Sequence, residues 1–139
     1  MGVIETDLSG LEVLSPAECL ALLRLNSLGR IGLSFGALPV VLPVNYVFEE
    51  DEVLVATRRG TAISSATHNA VVAFEVDQID LASGEGWSVL VQGLTREVTD
   101  PEHIAADRLA PLARWVEPGD RRYFTISADL VSGRRLHDR

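Results

Sequence analysis

Leu38-Pro39-Val40-Val41-Leu42-Pro43-Val44-Asn45-Tyr46-Val47-Phe48 is the stretch on which the fold turns. Read with a period of two, Leu38, Val40, Leu42, Val44, Tyr46 and Phe48 share one face, which is wholly apolar and suits a barrel interior. Pro39, Val41, Pro43, Asn45 and Val47 share the other, also largely apolar but for one amide, which predicts cover by something other than water. The two prolines cannot donate to a ladder, so this strand cannot be hydrogen-bonded along both edges at those points.

Outward from that strand the alternation continues. Ile31, Leu33 and Phe35 alternate from Arg30 onward, and Gly36-Ala37 makes a tight connection into Leu38. Glu49-Glu50-Asp51 reads as a solvated hairpin turn, followed by a strand over Glu52 to Thr57. After Arg58-Arg59-Gly60-Thr61 a short helical stretch runs to about Thr67, then a buried strand over Val71 to Val76 and a loop from Asp77 to Glu85. Trp87 to Val98 is a long strand in which Gly93 is the expected site of a bulge. Asp100-Pro101 should cap a helix through Leu109, interrupted at Pro111, and Arg121 to Leu130 should form a last strand. At the N-terminal side Ser15-Pro16-Ala17-Glu18 has the form of a capping box, with Leu20 and Leu23 on one helical face and an end near Asn26 to Gly29. The connections between the early strands leave no room for helical crossovers, so a parallel α/β sheet is excluded. A mainly β antiparallel barrel with peripheral short helices is the fold expected.

The chain has 139 residues, 47% hydrophobic and 23% charged, which fits one domain over 1–139. A formal charge of −8 argues against general nucleic-acid binding and against docking on an anionic membrane, while leaving room for a local basic pocket. Cys19 is the only cysteine, so neither an intrachain disulfide nor a Cys-based zinc site is expected. Met1 to Ser9 does not have the form of a signal peptide, and no apolar run is long enough to span a bilayer; a soluble cytoplasmic protein is the plain expectation.

The usual residue-borne catalytic sets are missing from the pattern. His68, His103 and His137 share no ligand spacing, and no nucleophile elbow, Walker loop or Rossmann fingerprint occurs. Asp77 and Asp80 read either as a carboxylate pair or as part of a solvated loop. An enzyme built this way would leave the hard step to a cofactor. Two stretches fit such a group. Thr57-Arg58-Arg59-Gly60-Thr61, leading into a helix with Ser64 and Ser65, suits a phosphomonoester or is a polar surface turn. Pro43-Val44-Asn45 suits the edge of a flat heterocycle or is a core strand with one satisfied amide.

Leu28-Gly29-Arg30-Ile31, Pro43-Val44-Asn45-Tyr46, Thr57-Arg58-x-Gly60, Val72-Ala73-Phe74-Glu75-Val76-Asp77 and Gly86-Trp87-Ser88-Val89-Leu90-Val91-x-Gly93, in that order, resemble the pyridoxamine 5′-phosphate oxidase-like flavin-binding proteins, closest to a short bacterial branch with nitroimidazole-reductase-like members. The resemblance runs from Leu20 to Arg135. It implies a split barrel whose homodimer interface holds two FMN molecules. Pro43, Val44 and Asn45 would line the isoalloxazine, and Thr57, Arg58, Arg59, Gly60 and Thr61 would surround the ribityl phosphate. Trp87 and Ser88 would close the site from the other subunit, and Gly133-Arg134-Arg135 resembles a segment that approaches the substrate side. An FMN-dependent oxidoreductase acting on a small organic substrate is the function implied, although true pyridoxamine 5′-phosphate oxidase activity would need further basic residues. The alternatives are a deazaflavin-dependent reductase, for whose anionic tail this acidic chain is a poor host, and a non-enzymatic flavin or haem carrier. Ala62 stands where relatives commonly carry a phosphate-binding Lys, which implies weaker FMN binding or a different cofactor.

Overall fold

The computed structural model describes residues 10–112 and 114–137; Met1 to Ser9, on which the signal-peptide reading rests, lie outside them. Ser15 caps α1 (Pro16–Arg24): its hydroxyl accepts the Glu18 N–H at 3.2 Å and donates to the Glu18 carboxylate at 3.1 Å, so the expected box closes through the hydroxyl. The helix stops at Arg24, earlier than its spacing suggests, because its last carbonyls find other partners. Asn26 donates to Leu22 O at 2.8 Å and the Tyr46 hydroxyl to Leu23 O at 2.7 Å.

The strands are β1 (Glu12–Val13), β2 (Leu28–Phe35), β3 (Leu38–Glu49), β4 (Glu52–Arg58), β5 (Val71–Ile79), β6 (Gly86–Glu97), β7 (Arg121–Ser127) and β8 (Leu130–Leu136). Both early hairpins turn on two left-handed residues, Gly36-Ala37 at φ +53° and +67° and Glu50-Asp51 at +53° and +59°, the geometry that matches strand twist. All pairings are antiparallel, and β2-β3-β4-β7-β6-β5 closes on itself because β5 returns to β2. The short helix α2 (Ala62–Ala66) occupies the connection between β4 and β5. The barrel interior is filled by Ile31, Tyr46, Val53, Val55, Phe74, Val89, Phe124 and Ile126, with Tyr46 and Phe74 edge to face at 4.8 Å.

Three expectations are corrected. Residues 101–112 form no continuous helix. A 3-10 turn (Pro101–His103) is separated by extended Ile104 and Ala105 from α3 (Ala106–Leu109), which runs directly into a second 3-10 turn (Ala110–Leu112), and Asp100 makes no side-chain cap, binding His103 at 2.6 Å instead. These pieces are held by burial rather than by propensity, since Leu112, with Ile104 and Leu109, packs on Leu54 and Tyr123 outside the barrel. The last strand is two, broken at Ala128 and Asp129. β7 closes the barrel, while β8 crosses to pair with β6 and β1. Gly93 is no bulge, because the β5–β6 register runs unbroken through Val72↔Gly93. It lies where β6 exchanges β8 for β7, and a Cβ there would stand 1.7 Å from Ser127 O.

The first face of β3 is buried only in its second half. Val44, Tyr46 and Phe48 enter the core, whereas Leu38 is 68% and Leu42 37% exposed, and on the other face Val41 is 67% exposed. Gly93→Ala should therefore cost more than about 3 kcal/mol by denaturant unfolding, because backbone must move to admit the methyl. Gly119→Ala, with nothing within 4 Å of the added atom, should stay within about 0.5 kcal/mol of the native chain.

Candidate functional site

The β3–β4 ladder ends at Tyr46↔Val55, while β3 continues against β2 down to Leu38. Where the two strands part, a cavity of about 220 Å³ opens. Pro43, Val44 and Asn45 line it from β3, Thr57 and Arg58 from β4, Ile63 from α2, and Leu112, Arg114, Trp115 and Val116 from the segment before β7. The two stretches singled out in the sequence thus meet at one place. Two of the lining residues carry a polar atom that is buried without a hydrogen-bond partner, Asn45 Nδ2 and Thr57 Oγ1, whereas buried polar groups in proteins are nearly always paired. Asn45 is therefore not the satisfied core amide of the alternative reading.

The rest of the turn plays another part. Arg59 donates from its backbone to Asp120 O at 2.8 Å and from Nε to Arg121 O at 3.0 Å. Gly60 sits at φ +73°, and Thr61 caps α2, accepting from Ser64 N at 3.3 Å while donating to Arg58 O at 2.7 Å. Arg59, Gly60 and Thr61 shape the turn beside the cavity without lining it, and Ala62 is exposed at the first position of α2. Trp87 lies elsewhere in the chain, in a groove of about 580 Å³ with Gln78, Asp80, Arg135 and His137, and Ser88 is its strand neighbour, paired with Arg134. Arg135 is held by Glu12 and Glu18, and Gly133, also in β8, packs so closely that a Cβ would meet Cys19 Sγ at 2.6 Å.

Asp77 and Asp80 are not a pair. Asp80 accepts the Ala82 N–H at 2.9 Å within its turn, whereas Asp77 meets Glu75 and Arg30 on one face of β5 and β2. Residues two apart on a strand share a face, so Glu75-x-Asp77 was the signal to follow. Burial, and then Asp77, push the Glu75 carboxyl up to about 7, against the pull of Arg30. The three histidines are apart: His103 on Asp100, His137 on Glu12 at 2.9 Å, His68 3.4 Å from Arg122. Arg122 escaped the sequence reading because nothing local marks a buried arginine. Only 4% exposed and cross-strand from Thr57, it donates to Thr67 Oγ1 at 2.7 Å and pairs with Glu97 at 3.2 Å, clamping the end of α2 to the barrel beside the cavity.

The family model for pyridoxamine 5′-phosphate oxidase matches residues 15–135. The chain belongs to the pyridoxamine 5′-phosphate oxidase family. An uncharacterized protein of Mycobacterium tuberculosis is 36% identical over 125 residues, covering 86% of this chain and 81% of that protein. The solved structure of an FAD-binding protein from Mycobacterium smegmatis is 32% identical, covers 91% of this chain and 98% of that one, and superposes with a TM-score of 0.69. An FAD-binding protein from Mesorhizobium loti is 25% identical, covers 92% and 98%, and superposes at 0.77. Among the described residues no helix is long and apolar enough to cross a membrane.

Two outcomes follow for the ligand-free protein. Asn45→Leu and Thr57→Val each remove a buried unpaired polar atom, so each should raise unfolding stability, by about 1 kcal/mol in denaturant melts. Glu75, whose folded-state pKa lies above the ordinary 4.5, binds its proton more tightly when folded. Stability should therefore be greatest below about 4.5 for this group and fall as pH rises from there through about 7, and Glu75→Gln should flatten that slope in pH-dependent melts.

Proposed function

We propose that this chain is a flavoprotein oxidoreductase whose flavin sits in the cavity where β3 and β4 part. The observation that carries the reading is the pair of buried, unpartnered polar atoms, Asn45 Nδ2 and Thr57 Oγ1, in an otherwise apolar cleft beside two arginines. The residues fit the group. Asn45 Nδ2 would donate to a carbonyl or ring nitrogen on the heterocycle's edge, Pro43, Val44 and Ile63 would press on its faces, and Thr57 and Arg58 would meet the ribityl and phosphate side. The flavin, when bound, supplies hydride exchange with a small organic substrate. The chain's own residues orient it, exclude water and set the polarity at its edge; among the described lining residues there is no carboxylate, histidine, cysteine or tyrosine to act as acid or base. FMN was the form implied by the sequence resemblance. The names of the relatives at 32% and 25% identity support FAD beside it, and Ala62 at the position of a phosphate-binding Lys weighs in the same direction.

The working unit proposed is a homodimer. A cavity of about 220 Å³ lies below the roughly 300–1,000 Å³ of sites that enclose a ligand of this size, so one chain covers only part of it. Phe35, Leu38, Val41 and Leu42 leave an exposed apolar hairpin next to that cavity, and Trp87 and Ser88 are the residues proposed to come from the second copy.

Purified protein should show flavin absorbance, or bind riboflavin, FMN or FAD on titration, and Asn45→Leu should weaken all three about tenfold without lowering the ligand-free melting temperature. A spectrum with a Soret or deazaflavin band instead, or no binding of any flavin, sinks the reading. Sedimentation should give a dimer at micromolar concentration, and Val41→Glu should yield a folded monomer with impaired flavin binding.

A further inference from the structure

The segment that closes the cavity carries its most solvent-facing large aromatic. Trp115 is 62% exposed although it lines the cleft, and its backbone stands at φ +70°, a left-handed conformation that is a genuine outlier for a bulky residue. Leu112, 2% exposed, is anchored in the outer cluster on one side, and on the other the Val116 carbonyl accepts from Arg121 Nε at 3.0 Å. The chain is thus pinned at both ends with an indole held out over the mouth. Strain of this kind persists where the surrounding structure fixes it, and it gathers at ligand clamps.

Burial orders the cavity from floor to rim. Val44, Thr57 and Leu112 are at its floor, each under a tenth exposed; Leu42, Pro43, Arg58, Arg114 and Trp115 are exposed at its rim. Neither rim guanidinium forms an ion pair among the described residues, in a chain whose net charge is −8. A polar-edged ring site at the floor, with two cations and an open aromatic face together at the rim, supplies the parts a dinucleotide calls for: heterocycle, phosphates, second base. A mononucleotide ends at its phosphate and leaves the indole with nothing to cover.

We infer that Arg114 and Trp115 form a subsite for the pyrophosphate and adenine of FAD and make this chain select the dinucleotide over FMN. The inference rests on the flavin reading above and adds the residues that choose among flavins. An indole offers any base a flat π surface, and the rim guanidiniums of Arg58 and Arg114 can supply charge-assisted hydrogen bonds to a diphosphate.

The test is titration of FAD, FMN and riboflavin into the native protein, Trp115→Gly, Trp115→Phe and Arg114→Gln, with a thermal melt of each ligand-free variant. Glycine adopts a positive φ without penalty, so Trp115→Gly removes the indole and leaves the fold intact. The native protein should bind FAD roughly tenfold or more tightly than FMN, the worth of one stacked base. Trp115→Gly should bring FAD down to the FMN level with FMN and riboflavin unchanged and the melting temperature equal or higher. Trp115→Phe should keep most of the preference, and Arg114→Gln should weaken FAD more than riboflavin. If Trp115→Gly weakens FAD and FMN equally, or neither, or if the native protein does not prefer FAD, the subsite is overturned while the flavin site stands. If the native protein binds none of the three, the flavin site falls and the subsite with it.

Discussion

The N–H of Tyr46 points toward β2, donating to Ser27 O at 2.9 Å, and everything distinctive about the molecule follows from that direction. Backbone groups alternate sides along a strand, so Pro43 and Pro39, at odd spacing from Tyr46, set their missing N–H groups on the opposite edge, where β4 would have to pair. β3 can keep β2 as a neighbour over its whole length, and does, from Leu28↔Asn45 to Phe35↔Leu38. It cannot keep β4. The ladder stops at Tyr46↔Val55, the barrel opens, and the space between the departing strands becomes the cavity.

An opening in a barrel wall weakens it, and the surroundings are built to hold it. Tyr46, 1% exposed at the last closed rung, donates its hydroxyl to Leu23 O and packs on Phe74, fastening α1 across the barrel; burial raises its phenol pKa, which keeps the hydroxyl a donor. On the β4 side Arg122 secures α2 through Thr67 and Glu97. Outside, Leu112 and the broken turns before it cover Leu54 and Tyr123. Each of these fastenings ends at a residue adjoining the cleft, so the site is rigid at its floor even though its wall is incomplete.

This division explains what the sequence could tell. Alternation, turn residues and a cap are local signals, and they gave the hairpins at Gly36-Ala37 and Glu50-Asp51, the helix at Pro16 and the barrel. Pro43, Asn45, Thr57 and Arg58 were legible because they interrupt an apolar period. The break at Ala128-Asp129 has no glycine or proline to announce it; it arises because β6 must change partners at Gly93, a contact between distant segments. The turns over 101–112 follow from burial against Leu54 and Tyr123, which outweighs helix propensity. Arg122 and Trp115 went unread for the same reason: a buried arginine and an aromatic held at positive φ are properties of the assembled fold.

The unpaired atoms at the cleft have the reverse logic of the core. A buried amide or hydroxyl without a partner costs roughly 1–3 kcal/mol, a sizeable part of a small domain's stability. Val at position 57 or Leu at position 45 would fill the same space without that cost. That Thr57 and Asn45 stand there instead makes the ligand-free chain less stable than its own architecture allows, and a ligand supplying the missing hydrogen bonds would recover the deficit on binding. Such a ligand stabilises the fold by mass action as well as by contact, and only in the folded state, because the two groups come together only when β3 has been turned away from β4. Binding energy and folding energy are coupled at one place in this chain, and the prolines of β3 decide where that place is.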